Sequence, residues 1–260
     1  MTARILAYHR VCDDPSPGLE TWAVARGAFR RQMALLKRLG YRGVTVRELL
    51  DRLDTGWPVD KLVAITFDDG YRDTVEVAAP ILARFGFTAT IYIVTGKVGG
   101  HAGWDAGGDP APLAGWDDLA RLVEAGWEVG MHTYSHPARL DLLRGPDLER
   151  EVSGGLDDAR ACLGTRIDSF AFPHGNYSRA TLAAVRAAGF RAALTVAPGA
   201  VTAAAPRFTL PRYEVKRRDT LPEFALTVTT GIAPRRRATL ARLLPSRPTT
   251  TDLRAGLRRS

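Results

Sequence analysis

A chain of 260 residues, 45% of them hydrophobic, has enough apolar material for one large α/β domain or two small ones. Its two cysteines, Cys12 and Cys162, lie far apart in sequence, which argues against a disulfide framework and agrees with a reducing compartment. The formal net charge of +8 is a property of one end: residues 233–260 hold eight arginines against a single acid, Asp252, a net of +7, so the rest of the chain is nearly neutral and nucleic-acid binding is not implied.

Met1 leads almost at once into a strand predicted over Arg4–His9. This run is too short for a signal-peptide core, and no small-residue cleavage site follows it. No stretch approaches the roughly twenty apolar residues of a membrane span, so a cytoplasmic location is expected. A helix is predicted over Ala25–Leu39, stopped by Gly40. The apolar run Leu62-Val63-Ala64-Ile65-Thr66-Phe67 reads as a buried strand, and it ends on Asp68-Asp69-Gly70. A helix over Tyr71–Phe85 (stop at Gly86) and a strand over Thr88–Val94 follow. Residues 97–115, rich in Gly, Ala and Pro and containing His101 and Trp104, read as a long loop of the kind that forms lids.

Next come a helix over Trp116–Ala125 (stop at Gly126) and a strand over Trp127–His132, which ends on His132-Thr133-Tyr134-Ser135-His136. Further helices are predicted over Pro146–Leu163 (stop at Gly164) and Ser178–Ala188 (stop at Gly189). Strands are predicted over Ser169–Phe172 and Ala192–Val196, with a short piece near Leu210–Val215. After Ala233 the periodicity is lost, and a poorly ordered basic tail is expected. Alternating strands and helices argue for a parallel sheet with helices outside. About seven such strands could close into a barrel, with chemistry at the strand C-terminal ends. The pattern alone is also compatible with an open doubly wound sheet.

A lone Asp-Asp-Gly is most often a turn, and a lone His-x-x-x-His is most often surface or core. Both at the ends of predicted strands, in a chain with five histidines, carry more weight. One carboxylate and two imidazoles form a usual catalytic zinc set with a position left open for water. A second carboxylate beside them could take a proton, and spacing does not say which of Asp68 and Asp69 does which.

With Thr66-Phe67-Asp68-Asp69-Gly70, His132-Thr133-x-x-His136 and Phe170-Ala171-Phe172-Pro173-His174-Gly175, the chain resembles the polysaccharide deacetylases of carbohydrate esterase family 4, the NodB-homology domain, over most of residues 3–215. The resemblance implies a distorted (β/α)7 barrel over residues 1–232 and removal of N-acetyl groups from an amino-sugar polymer, oligomer or glycoconjugate. It implies a divalent metal, zinc first and cobalt or nickel as alternatives, held by Asp69, His132 and His136, with Asp68 as base. Pro173, His174 and Gly175 would line the substrate, with a backbone N–H near His174 facing the oxyanion. Trp104 would stack on a sugar ring, or else tuck under its loop.

Two departures from the family pattern stand out. The late region Ala193-Leu194-Thr195-Val196-Ala197-Pro198 lacks the histidine that usually serves as acid. The segment Tyr8-His9-Arg10-Val11 is instead similar to the permuted branch of poly-N-acetylglucosamine deacetylases, whose acid histidine opens the chain. His9 is therefore expected as acid, held by a neighbouring carboxylate, with His174 as competitor. Ala171 stands where many members carry an arginine that touches the base, and Arg212 is expected in its place, in the substrate region. Removal of a formyl or other acyl group from a lipid-linked amino sugar is a further reading, since the Arg-rich tail suits an anionic membrane surface. A non-catalytic carbohydrate-binding barrel is the alternative outside enzymes. The sequence leaves the sugar and the oligomeric state open.

Overall fold

Strands covered on both faces read as continuous apolar runs, and most strands here are of that kind. The computed structural model describes residues 2–15, 18–104 and 111–232. The strands are β1 (Arg4–Tyr8), β2 (Arg10–Val11), β3 (Ala23–Val24), β4 (Arg42–Val44), β5 (Leu62–Phe67), β6 (Thr90–Ile93), β7 (Glu128–Met131), β8 (Ser169–Ala171), β9 (Ala192–Leu194) and β10 (Tyr213–Glu214). All side chains of β5 through β9 are buried. The main sheet runs β10-β1-β5-β6-β7-β8-β9, and every pairing in it is parallel. β4 pairs with the first half of β5 and β6 with the second, so the two share one edge of it. β2 and β3 form a separate two-stranded ribbon.

The ring closes through the segment before β10. Leu210 bridges Leu194 in parallel, with Thr195 N–H donating to Leu210 O at 2.9 Å and Leu210 N–H to Ala193 O at 2.9 Å. The same segment then pairs with β1, Leu6 opposite Tyr213. This is the distorted (β/α)7 barrel, and first and last strands are neighbours as expected.

Among the described residues eight α-helices surround it: α1 (Arg26–Arg38), α2 (Val46–Asp54), α3 (Ala79–Ala83), α4 (Trp116–Glu124), α5 (Gly145–Ser153), α6 (Leu156–Leu163), α7 (Arg179–Ala187) and α8 (Leu221–Thr230). The expected stop glycines 40, 86, 126, 164 and 189 all have positive φ. Among the described residues no helix is long and apolar enough to cross a membrane. The predicted tail, residues 233–260, lies outside the described residues.

Two predicted helices are corrected, and three further elements are added. The helix expected over Pro146–Leu163 is two, α5 and α6, broken at Gly154–Gly155. Gly154 sits against the Tyr134 ring, where a Cβ would come within 2.9 Å of Cδ2, and its carbonyl accepts from Thr95 Oγ1 at 2.7 Å. The helix over Tyr71–Phe85 begins as a π-helical turn, Thr74–Ala78, before α3. Pro80 has no N–H to offer the preceding turn, and a wider turn accommodates that loss. β4 and α2 were not predicted. Neither was α8, which is capped by a Thr220–Glu223 box.

Alternation along the strands sorts the interior. Leu6, Tyr8, Val63, Ile65, Phe67, Ile91 and Val129 pack outward with α1 residues Phe29, Met33 and Leu36. The intervening positions face inward and include polar groups. Glu128 accepts from Thr90 Oγ1 at 2.8 Å and from Ser169 Oγ at 2.7 Å, and Tyr92 O–H donates to Ser169 Oγ at 3.0 Å. Gly130, between Glu128 and His132 on that face, makes room for Tyr92: an added Cβ would overlap its ring and lie 3.0 Å from Ser169 Oγ. Gly130→Ala is therefore expected to destabilise the protein by about 1–3 kcal/mol through overpacking. Urea unfolding should show a lower midpoint, and an unchanged midpoint would contradict this packing.

Candidate metal centre and its pocket

The inward face of β5 carries Ala64 and Thr66, and the same alternation brings Asp68 inward just past the strand end. Asp68 N–H continues the ladder to Tyr8 O at 2.9 Å. The chain then turns at Asp69 (φ 73) and Gly70 (φ 78). His132 follows β7, its N–H donating to Ile93 O at 2.8 Å. The loop beyond is tightly held. His136 N–H donates to Thr133 Oγ1 at 2.9 Å, and Glu151 on α5 accepts from Ser135 Oγ at 2.6 Å and Ser135 N–H at 2.9 Å. Five non-glycine described residues have positive φ, and four of them are Asp69, Thr133, His136 and His174. Left-handed backbone is costly for such residues, above all for β-branched Thr133. It gathers where surrounding structure over-determines a site.

Asp69, His132 and His136 are buried, and one ligand atom of each lies within 4.8 Å of the others. Asp69 Oδ1 is 3.4 Å from His132 Nε2 and 3.3 Å from His136 Nε2. Charge-assisted hydrogen bonds are shorter, about 2.7–2.9 Å. Ligand atoms about 2.1 Å from a tetrahedral ion would stand about 3.4 Å apart. His132 Nδ1 lies 2.8 Å from Ala171 O, and donation there leaves the Nε2 lone pair toward Asp69, the tautomer a metal ligand needs. The three residues therefore fit a divalent cation. The electrostatics agree. Burial raises the Asp69 carboxyl, yet the two imidazoles of His132 and His136 facing it hold it well below the usual carboxylate range. Burial lowers the His132 imidazole, yet Asp69 and Asp68 carry it above its ordinary value. Such a site favours positive charge.

Asp68 is held differently. Arg212 Nη1 donates to Oδ1 at 2.6 Å and Nη2 to Oδ2 at 2.7 Å, a two-pronged pair with both side chains buried. Arg212 also donates to Thr195 O at 2.9 Å and Thr66 Oγ1 at 3.1 Å. Burial raises the Asp68 carboxyl, and Arg212 foremost, with His132, brings it below the usual range. The carboxylate is thus kept ionised. Arg212 touches the carboxylate, as expected of a replacement for the arginine absent at position 171. It does not line the pocket, so its placement among substrate contacts is corrected: its guanidinium is fully engaged behind Asp68.

The cavity, about 350 Å³, is lined by Asp68, Asp69, His132 and His136 on one side and by His9, Trp22, Glu214 and Lys216 among others. His9 shares this cavity with Asp68. Its ring packs on Trp22 at 4.7 Å, and its Nδ1 is buried without a partner among the described residues. The carboxylate expected to hold that ring is therefore absent, and an indole supports it instead. Trp104 lines the cavity and stacks on His136 at 4.5 Å, so it packs on an imidazole of the metal centre. Exposed His174 lines the rim, its ring 5.1 Å from that of His136. Pro173 and Gly175 shape the turn without lining the cavity. The Gly175 and Asn176 N–H groups donate within that turn, to Phe172 O and Pro173 O. Sequence reasoning missed Arg10, Trp22, Glu151, Glu214 and Lys216. Glu214 and Lys216 could have been flagged, because they end the last strand beside the first.

A family model described as polysaccharide deacetylase matches residues 56–193. Asp68, Asp69, His132 and His136 lie within that span, His9 and Arg212 outside it. The chain is 27% identical to the protein YxkH of Bacillus subtilis (strain 168) over 212 residues, 81% of this chain and 70% of that protein. It is 24% identical to the poly-beta-1,6-N-acetyl-D-glucosamine N-deacetylase of Staphylococcus aureus over 232 residues, 81% of this chain and 78% of that protein. Among solved structures, the Streptococcus pyogenes deacetylase PplD in complex with acetate has the same fold. It matches with a TM-score of 0.75 at 24% identity, covering 88% of this chain and 98% of that one.

Removing Arg212 would leave a buried carboxylate without its cation. Arg212→Ala is expected to lower stability by about 3–5 kcal/mol, and Arg212→Lys, which keeps the charge but loses the fork, by less. Equal denaturation midpoints for wild type and Arg212→Ala would contradict the role assigned to this pair.

Proposed function

The chain belongs to the polysaccharide deacetylase family, and on that premise we propose that it is a metal-dependent hydrolase that removes acetyl groups from an N-acetylated amino-sugar glycan. The observation that carries the reading is the convergence of one carboxylate and two imidazoles beside a second, ionised carboxylate in one cavity. Asp69, His132 and His136 would hold the ion, zinc by the chemistry of the set. Such an ion supplies Lewis acidity and a water that loses its proton near neutral pH.

The chain's own residues account for the proton traffic. Asp68, kept ionised by Arg212, accepts the proton of the attacking water as the new C–O bond forms at the acyl carbon. The C–N bond then breaks, and the leaving nitrogen takes a proton from His9. An imidazole is matched to that donation near neutrality. His9 directly follows β1 and Asp68 directly follows β5, and β1 pairs with β5 from Arg4 opposite Val63 to Tyr8 opposite Phe67, so both groups reach one cavity. The nitrogen leaves as an amine, the acyl group as acetate. The cavity is at the small end for ligand pockets, which suits one sugar residue at a time, with the rest of a glycan lying outside.

Two variants test the roles by acetate release from an N-acetylated amino-sugar oligomer. Asp68→Asn should retain its metal and lose turnover by roughly 10²–10⁴-fold; near-normal turnover would show that another group is the base. His9→Ala should lose far more activity on the amide than on an activated acetyl ester, whose leaving group needs little protonation. If His174→Ala alone shows that selective loss, the acid is His174.

A further inference from the structure

Arg10 follows the proposed acid His9, is 8% exposed and lines the same cavity. Its Nε donates to Asp73 Oδ2 at 2.7 Å, Asp73 Oδ1 accepts from Val11 N–H at 3.2 Å, and the guanidinium lies over the Tyr71 ring, 5.2 Å from its centroid. The group is therefore fixed. Only Nε is used: Nη1 is buried with no partner, and Nη2 makes no hydrogen bond among the described residues. Buried donors without acceptors are rare and costly, and a guanidinium edge with both terminal nitrogens unused matches the two oxygens of a carboxylate or phosphate.

A second cation stands in the cavity. Lys216 is 8% exposed, with Nζ 4.1 Å from the Trp22 ring centroid and 3.4 Å from Glu214 Oε2. That separation is longer than a good hydrogen bond, so Lys216 also has donors to offer. The carboxylates nearby are already matched: Asp68 by Arg212, Asp69 by the two imidazoles, Asp73 by Arg10 and Glu214 by Lys216. The groups left without a close hydrogen-bond partner on the His9 side include the terminal nitrogens of Arg10 and the ammonium of Lys216. We propose that Arg10, assisted by Lys216, forms a subsite for an oxyanion, a carboxylate or phosphate carried by the acylated amino sugar, and so selects acidic over neutral sugars. The inference rests on the hydrolase reading for the identity of the sugar, but its binding test does not.

The test uses full-length, zinc-loaded protein and three monosaccharides: a neutral N-acetylated hexosamine, the same ring bearing a carboxylate ether, and its phosphate ester. Calorimetric titration should show at least one acidic sugar bound about tenfold or more tightly than the neutral one. Arg10→Gln should remove most of that advantage and Arg10→Lys should keep part of it. Comparing the carboxylate and phosphate arms identifies which oxyanion is read. Equal binding of all three sugars by wild type, or an advantage undiminished in Arg10→Gln, overturns the proposal. Should Arg10→Gln fail to fold, an advantage undiminished in Arg10→Lys overturns it as well, because lysine cannot reproduce the fork. Acetate release measured in parallel separates the two ideas: Arg10-dependent binding without turnover on any sugar would sink the hydrolase reading and leave the subsite standing.

Discussion

The buried pair of Arg212 and Asp68 is the interaction on which the rest of this structure leans. Two charges leave water at considerable cost, and the cost is offset only when geometry and further hydrogen bonds are good. Here the fork is complete, and Thr66 and the Thr195 carbonyl take two further donors. Arg212 comes from the segment that closes the ring between β9 and β1, so the pair joins the last part of the barrel to its central strand. The same contact keeps Asp68 ionised beside a centre suited to a cation.

Adjacent carboxylates with the same intrinsic chemistry thereby acquire different roles. Asp68 faces a guanidinium and Asp69 faces two imidazoles, so one is suited to accept a proton and the other to bind a metal. Below them the polar interior continues through Tyr92, whose ring lies under the Arg212 guanidinium at 5.7 Å, to Ser169 and Glu128. The network depends on Gly130 leaving space for that ring. Packing at the barrel's middle thus seats the ring beneath the guanidinium that holds Asp68 at its mouth.

Much of this was legible in the sequence because strand runs and stop glycines are local signals. Leu62–Phe67 has the predicted bounds, and Asp68, Asp69, His132 and His136 come together as their strand-end positions implied. The misses were of two kinds. β4 is only three residues long, and α2 and α8 carry none of the site motifs, so their local signals drew no assignment. Gly154–Gly155 breaks a helical pattern for a tertiary reason, the Tyr134 ring and Thr95 hydroxyl that approach them. The positions of Arg212 and Arg10 are tertiary as well. A resemblance suggested that Arg212 would meet the carboxylate, whereas only the closed barrel reveals that it lies behind Asp68 and away from the cavity. Nothing local marks Arg10 as a buried guanidinium with idle donors.

The central claim is that Asp69, His132 and His136 hold one divalent ion whose presence enables hydrolysis of an N-acetyl amide. The direct measurement is acetate released from an N-acetylated amino-sugar oligomer as zinc is titrated back into chelator-stripped protein. The rate should rise from near zero and level off at one ion per chain, with no such rise in Asp69→Ala. Full activity in the stripped protein, or a rise of the same size in Asp69→Ala, would contradict it.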